Sequence, residues 1–124
     1  MAAPNIVNVS TITGKTATVA LSTTSQTTLV SNAASSGKVY KINMIQGANV
    51  DGTSAADITI DVHSAAAGGG TAYSLISTAS VAADASLVVL DKNTALYLEE
   101  DRSITATASA ANDLEVIVSY EEIS

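Results

Sequence analysis

The chain has no cysteine, no tryptophan and no phenylalanine, and only one proline and one histidine. Without cysteine there is no disulfide, no thiol nucleophile and no thiolate zinc site. A lone histidine, His63, gives no basis for a Ser–His–Asp arrangement. The missing Trp and Phe remove the aromatic walls that usually line ligand pockets. Cations are scarce: five Lys and Arg stand against twelve acidic residues, for a formal net charge of −7. Phosphate binding needs clustered Lys and Arg, so nucleic acid is not an expected partner. The same charge argues against an anionic membrane surface. No apolar run approaches the roughly 18–20 residues of a membrane-spanning helix. Met1-Ala2-Ala3-Pro4-Asn5 offers neither a basic n-region nor a long apolar h-region. It does not read as a signal peptide, and the expectation is a protein made and used in a cytoplasm. With no signal peptide, the sequon Asn8-Val9-Ser10 carries no weight.

What fills the space is small: 22 Ala, 16 Ser and 15 Thr. Small side chains each bury little area, and burial is worth roughly 25 cal/mol per Å² of apolar surface. A core of Ile, Leu, Val and Ala with Tyr as the largest filler leaves a monomer with a modest margin. Packing against copies of itself or a larger surface would add to it. The acidity serves solubility through self-repulsion, or docking onto a basic surface.

The dominant period is two. Leu114, Val116, Val118 and Tyr120 alternate with Glu115, Ile117, Ser119 and Glu121. Alternate residues of a strand point to opposite faces, so this is a half-buried strand. Ile58, Ile60 and Val62 alternate with Thr59, Asp61 and His63. Tyr40, Ile42 and Met44 alternate with Lys41 and Asn43, which puts Val39 and Ile45 on the polar side. Ile104, Ala106 and Ala108 alternate with Thr105, Thr107 and Ser109, and Leu96 and Leu98 flank Tyr97. Leu87-Val88-Val89-Leu90 is a continuous apolar run and predicts a strand covered on both faces. Residues 16–21 and 26–31 are weaker, Thr-rich strands, and residues 6–12 read as an extended arm or edge strand.

Turn signals separate these runs at residues 13–15, 32–37, 49–56, 65–70, 82–85, 91–93, 99–101 and 110–113. Short strands at this rhythm predict an all-β fold. The expected architecture is an antiparallel β-sandwich of about eight strands, jelly-roll or immunoglobulin-like. Residues 1–13 form an N-terminal arm or edge strand and residues 14–124 a single domain. No amphipathic helix is visible.

No catalytic, cofactor-binding or metal-ligating residue can be nominated. His63 falls on the polar face of its strand beside Asp61 and reads as an exposed or interface histidine. Residues 49–57, with Asp51-Gly52, lack EF-hand spacing and read as a turn. Glu99-Glu100-Asp101 reads as a solvated turn. Gly68-Gly69-Gly70 lacks the P-loop pattern and reads as a flexible hairpin loop that orders on meeting a neighbour. The four Tyr fall in mostly core positions and argue against a sugar site. Candidate intersubunit contacts are Pro4, Ile6, Val7, Val9 and Ile12 in the arm and Gly68, Gly69 and Gly70 in the loop. Strand addition at an exposed edge is the expected mode, and Pro4 discourages uncontrolled pairing.

From Gly37 onward the segments run Gly37-Lys38-Val39-Tyr40-Lys41-Ile42, Asn49-Val50-Asp51-Gly52-Thr53, Ala56-Asp57-Ile58-Thr59-Ile60, Leu87-Val88-Val89-Leu90-Asp91-Lys92 and Leu96-Tyr97-Leu98-Glu99-Glu100, then residues 108–123. This order resembles small virion structural proteins of tailed bacteriophages, above all those of cyanobacterial and marine hosts. The resemblance implies a non-enzymatic β-sandwich present in many copies, without a cofactor. It would be a capsid decoration or cement protein clamping the major capsid protein, or a neck, collar or tail component. It further implies a homo-oligomer, located in the virion and assembled in the bacterial host cytoplasm. A carbohydrate- or receptor-binding sandwich at a particle surface is the other reading.

Overall fold

The structure is a computed structural model that describes residues 4–124. The expected arm begins at residues 1–3, which lie outside the described residues.

Among the described residues, nine strands form two antiparallel sheets: β1 (Ile12–Ala20), β2 (Thr27–Asn32), β3 (Val39–Asn49), β4 (Ala56–His63), β5 (Ala72–Val81), β6 (Ser86–Leu90), β7 (Leu96–Leu98), β8 (Arg102–Ala108) and β9 (Leu114–Ile123). Sheet A has the order β1-β9-β3-β6, with the short β7 also paired to β3; sheet B has the order β2-β8-β4-β5. The chain changes sheet at nearly every connection. That strand order resolves the expected sandwich to the jelly roll, not the immunoglobulin arrangement.

The inner faces meet in one apolar core. Ile42, Ile45, Leu98, Leu114, Val116 and Val118 of sheet A pack against Leu29, Val30, Ile58, Ile60, Ile104 and Ala106 of sheet B. With no Phe or Trp, the sheets can approach closely. A methyl group built on Gly47 of β3 would stand 2.8 Å from Ile58 Cδ1 of β4. A larger residue there would have to push the terminal methyl of the buried Ile58 aside, so glycine suits the close approach and not an unusual φ.

Two buried asparagines tie loops to this core. Asn32 Nδ2 donates to the carbonyls of Lys38 (2.9 Å) and Leu98 (3.1 Å). Asn49 Nδ2 donates to the carbonyls of Ser54 (2.9 Å) and Val81 (2.9 Å). Each is the last residue of its strand, and its buried side-chain amide is satisfied by two carbonyls at the ends of neighbouring segments, as buried polar groups require.

The period-two reading fails in β3, and the reading of β6 as a strand covered on both faces fails too. Ile42 pairs with Tyr120, but Met44 pairs with Ser119, so Asn43 is an extra residue in β3. A bulge of this kind resets the alternation. Ile45, expected on the polar side, is therefore fully buried, and Met44 is only partly so. Leu87 to Leu90 is not covered on both faces: Val88 is 53% exposed on the outside of sheet A.

Candidate functional site

With no titratable cluster to build from, the site is sought at the surfaces where a sheet can meet a partner. A jelly roll has four such edges. β5 is ten residues long, but its register with β4 breaks twice, between Ile58 and Ile60 and between Ile60 and Asp61. Thr78 in β5 has a left-handed φ of 46° and is held by its N–H donating to Thr59 Oγ1 at 2.9 Å. β2 has six residues and one break. On the far side of sheet A, β6 has five residues and β7 three.

β1 differs from all of these. Its nine residues pair with β9 without a shift, from Ile12–Ile123 to Ala20–Glu115. At its ends, Thr11 and Ser124 exchange both backbone hydrogen bonds, and Leu21 N–H donates to Leu114 O. Antiparallel pairing alternates, so the odd-numbered residues face β9. The peptide groups of Ile12, Gly14, Thr16, Thr18 and Ala20 then point outward, with no strand beside them among the described residues.

The side chains around this edge do little to block it. Gly14, Thr16, Thr18 and Ala20 are small and exposed. The one charge is Lys15, and it is already engaged: its Nζ donates to Glu122 Oε2 at 3.0 Å, while Lys38 Nζ donates to Glu122 Oε1 at 2.8 Å. Glu122 is therefore shared between β1 and the residue that leads into β3, on either side of β9. Its side chain is 14% exposed, against 45% for Lys15. The bonds from Lys38 and then Lys15 hold the Glu122 carboxyl below its ordinary range, and the bond to Glu122 raises both lysines above theirs. Beside this clasp, Tyr40 and Tyr120 stack with ring centroids 5.3 Å apart, and burial pushes the Tyr40 hydroxyl up.

Sheet B is treated in another way. The segment between β4 and β5 folds over its outer face as a single 3₁₀ turn at Ala66–Gly68. Ala66 N–H donates to Asp101 Oδ1 (3.0 Å), Ala67 N–H to Ser31 Oγ (2.9 Å) and Gly68 N–H to Ser103 Oγ (2.8 Å). Ser103 Oγ in turn donates to Ala65 O at 2.8 Å, and Arg102 Nη1 donates to Ser64 O at 2.9 Å. Gly68 and Gly70 have φ of 72° and 66°, and Ala67 shares this left-handed region at 56°.

His63 lies beneath that segment and is only 3% exposed, so its expected exposure is corrected. Its Nδ1 is 3.1 Å from Gly69 O and its Nε2 is 2.8 Å from Thr105 Oγ1. A carbonyl only accepts, so Nδ1 carries the hydrogen, and in the neutral ring Nε2 accepts from the Thr105 hydroxyl. The polar face was read correctly, but the loop that covers it left no period to read. The Gly68–Gly70 loop is correspondingly anchored within its own chain, not a free hairpin tip.

The arm candidates are placed separately from the loop. Asn8 N–H donates to Asn5 O at 3.1 Å, so a turn precedes β1. Ile6 and Val7 are exposed, Val7 at 91%, Val9 is half-buried, and Ile12 opens β1. Pro4 is half-buried. Gly68, Gly69 and Gly70 do not join this group; they sit on sheet B. Sequence reading missed the outward row of β1 because Thr-rich alternation hides which face and which edge are open. Of the four tyrosines, expected mostly in core positions, Tyr73 and Tyr97 are exposed at 66% and 48%. A shallow depression of 430 Å³ lies on the outer face of sheet A, lined by Thr18, Gln46, Ala48, Glu115 and Ile117 among others. It converges no ionisable pair.

The acidic groups occur at both ends of the sandwich, but the cations do not. The loops at the end of the sandwich away from the arm carry Asp51, Asp84 and Asp113, with Glu115 at the start of β9. The five cations, Lys15, Lys38, Lys41, Lys92 and Arg102, all lie toward the arm end.

No family profile matches the chain, and no curated protein matches it. Solved structures do. The fold is similar to that of a chain in the structure described as "Bacillus endospore appendages form a novel family of disulfide-linked pili", with a TM-score of 0.50 and 17% identity over 92% of this chain and 88% of that one. The present sequence has no cysteine with which to make such a link.

Proposed function

We propose that this chain is a non-enzymatic structural subunit of a repetitive protein assembly, which it joins by strand addition at the open edge of β1. The observation that carries the proposal is the contrast among the edges: β1 is long, unbroken and bare, while β5 is bulged and β2, β6 and β7 are short. An added strand gains main-chain hydrogen bonds along the whole edge. The exposed Ile6 and Val7, which precede β1 in the chain, offer further apolar surface.

In its specific form the proposal is capsid decoration of a tailed bacteriophage, with the major capsid protein as partner. The sequence resemblance over residues 37–124 supports it. So does the acidic loop end with Asp51, Asp84, Asp113 and Glu115, which suits docking onto a basic lattice. The second reading is a filament or appendage subunit, favoured by the likeness of fold to the pilus chain.

Sedimentation of the purified chain over a range of concentrations, with negative-stain imaging, tests the common core of both readings. The expected outcome is reversible association into dimers and larger defined particles or filaments, or tight binding to expanded shells. A chain that stays monomeric and binds no shell contradicts the proposal. Specific capture on a glycan array would instead favour a carbohydrate-binding role.

A further inference from the structure

We infer that the strand added to β1 is β1 of a second copy, antiparallel and centred on Thr16, and that the Lys15–Glu122 bridge is what permits this pairing. The inference rests on the assembly reading above and gives the β1 edge to a second copy, so that the closed dimer is the unit the larger assembly takes up through its other surfaces.

Hydrogen-bond parity comes first. The outward peptide groups belong to even-numbered residues. A twofold axis through Thr16 pairs Thr16 with the same residue of the second copy, Gly14 with Thr18, and Ile12 with Ala20. Every pair is even with even, so outward donors meet outward acceptors along the full strand. Such a contact is isologous: one patch serves both partners.

The side chains agree. On the outer face the pairs bring together Gly, Thr, Ala and Ile, none charged. A side chain at Gly14 would meet nothing within 4 Å. On the inner face Thr13 meets Val19 and Lys15 meets Ala17. This places the two Lys15 side chains on a diagonal, where like charges repel. Each is held by its own Glu122 at 3.0 Å, on the same sheet and turned from the junction. A freed Lys15 would be the kind of edge charge that blocks sheet growth. Glu122 thus acts as a positioning residue for the edge.

Absence of native cysteine makes the test direct. Thr16→Cys, at an exposed site, should form a disulfide-linked dimer under mild oxidation, since directly opposed strand residues lie within disulfide reach. Mixing Gly14→Cys with Thr18→Cys should give the mixed dimer in preference to either self-dimer. Ser77→Cys on the β5 edge is the control and should remain monomeric. Glu122→Gln should weaken association at least tenfold at low salt, with part of the loss recovered at high salt. The inference is overturned if assemblies form while Thr16→Cys cross-links no faster than Ser77→Cys, or if Glu122→Gln associates as the parent does. If the parent chain neither assembles nor cross-links, the assembly reading falls with it.

Discussion

The free edges of β1 and β5 are alike in length, nine and ten residues, and both end a sheet of the same sandwich. They differ in regularity. β5 carries two register breaks and a threonine at positive φ, whereas β1 keeps one register throughout. Bulges twist an edge out of line for a further strand, and proteins use them to prevent unwanted pairing. Sheet B also carries the strapped segment over His63 and Ser103, held by side chains from β2, β4 and β8. One sheet is finished on its own; the other ends in an open ladder whose single charge is already neutralised. The difference teaches that β1 is kept open while the tools for closing an edge are in use elsewhere in the same molecule.

The largest expected effect comes from breaking the open edge itself. Thr16→Pro removes an outward N–H without touching the ladder to β9, a place where an edge strand tolerates proline. Self-association should fall by about a hundredfold, or about 2.7 kcal/mol, while the monomer still melts cooperatively. Sedimentation and calorimetry of the same sample check both halves.

The converse substitution is Ser103→Ala on the strapped side. It takes the acceptor from Gly68 N–H and the donor from Ala65 O in a site with no exposure. Denaturant unfolding should show a loss of about 1–3 kcal/mol. Association should not change.

A smaller effect follows from pH. The Glu122 carboxyl lies below its unfolded value, so its contribution is present above the ordinary carboxylate range and is lost as pH falls through the lowered folded value. The Lys15 and Lys38 ammonium groups lie above theirs, so theirs is present below the ordinary lysine range and is lost as pH rises through the raised folded values. Association followed by light scattering should therefore weaken at the acid end in the parent. In Glu122→Gln that acid step should vanish.

The smallest effect is expected at Ala67, whose φ of 56° favours glycine. Ala67→Gly should leave stability unchanged or raise it by up to about 1 kcal/mol, and leave association alone. Thermal melts are sensitive enough to see it.

Where strands alternate without interruption, the sequence was legible. Leu114 to Val118 and Ile58 to Ile60 face the core as their period required, and the turns fall where Gly, Asp and Asn cluster, except at residues 13–15, where Gly14 lies inside an unbroken β1 because the ladder to β9 continues through it. Asn43 was not legible, because nothing local distinguishes a bulge residue from an ordinary outward one, and so Ile45 was turned to the wrong side. His63 was placed on the right face but given the wrong exposure, because burial there comes from a segment that folds back through Ser31, Asp101 and Ser103. The edge of β1 was hardest to see. Which peptide groups are unpaired depends on strand order, and that is set by pairings between residues more than 90 apart, such as Ile12 with Ile123.

Residue-resolved amide exchange at two protein concentrations tests the central claim most directly. If β1 is the assembly edge, the amides of Gly14, Thr16 and Thr18 exchange freely when dilute and become protected when concentrated. Those of Leu75 and Ser77 in β5 stay as they were. Protection that arises in β5 instead, or assembly with the three β1 amides still unprotected, would contradict it.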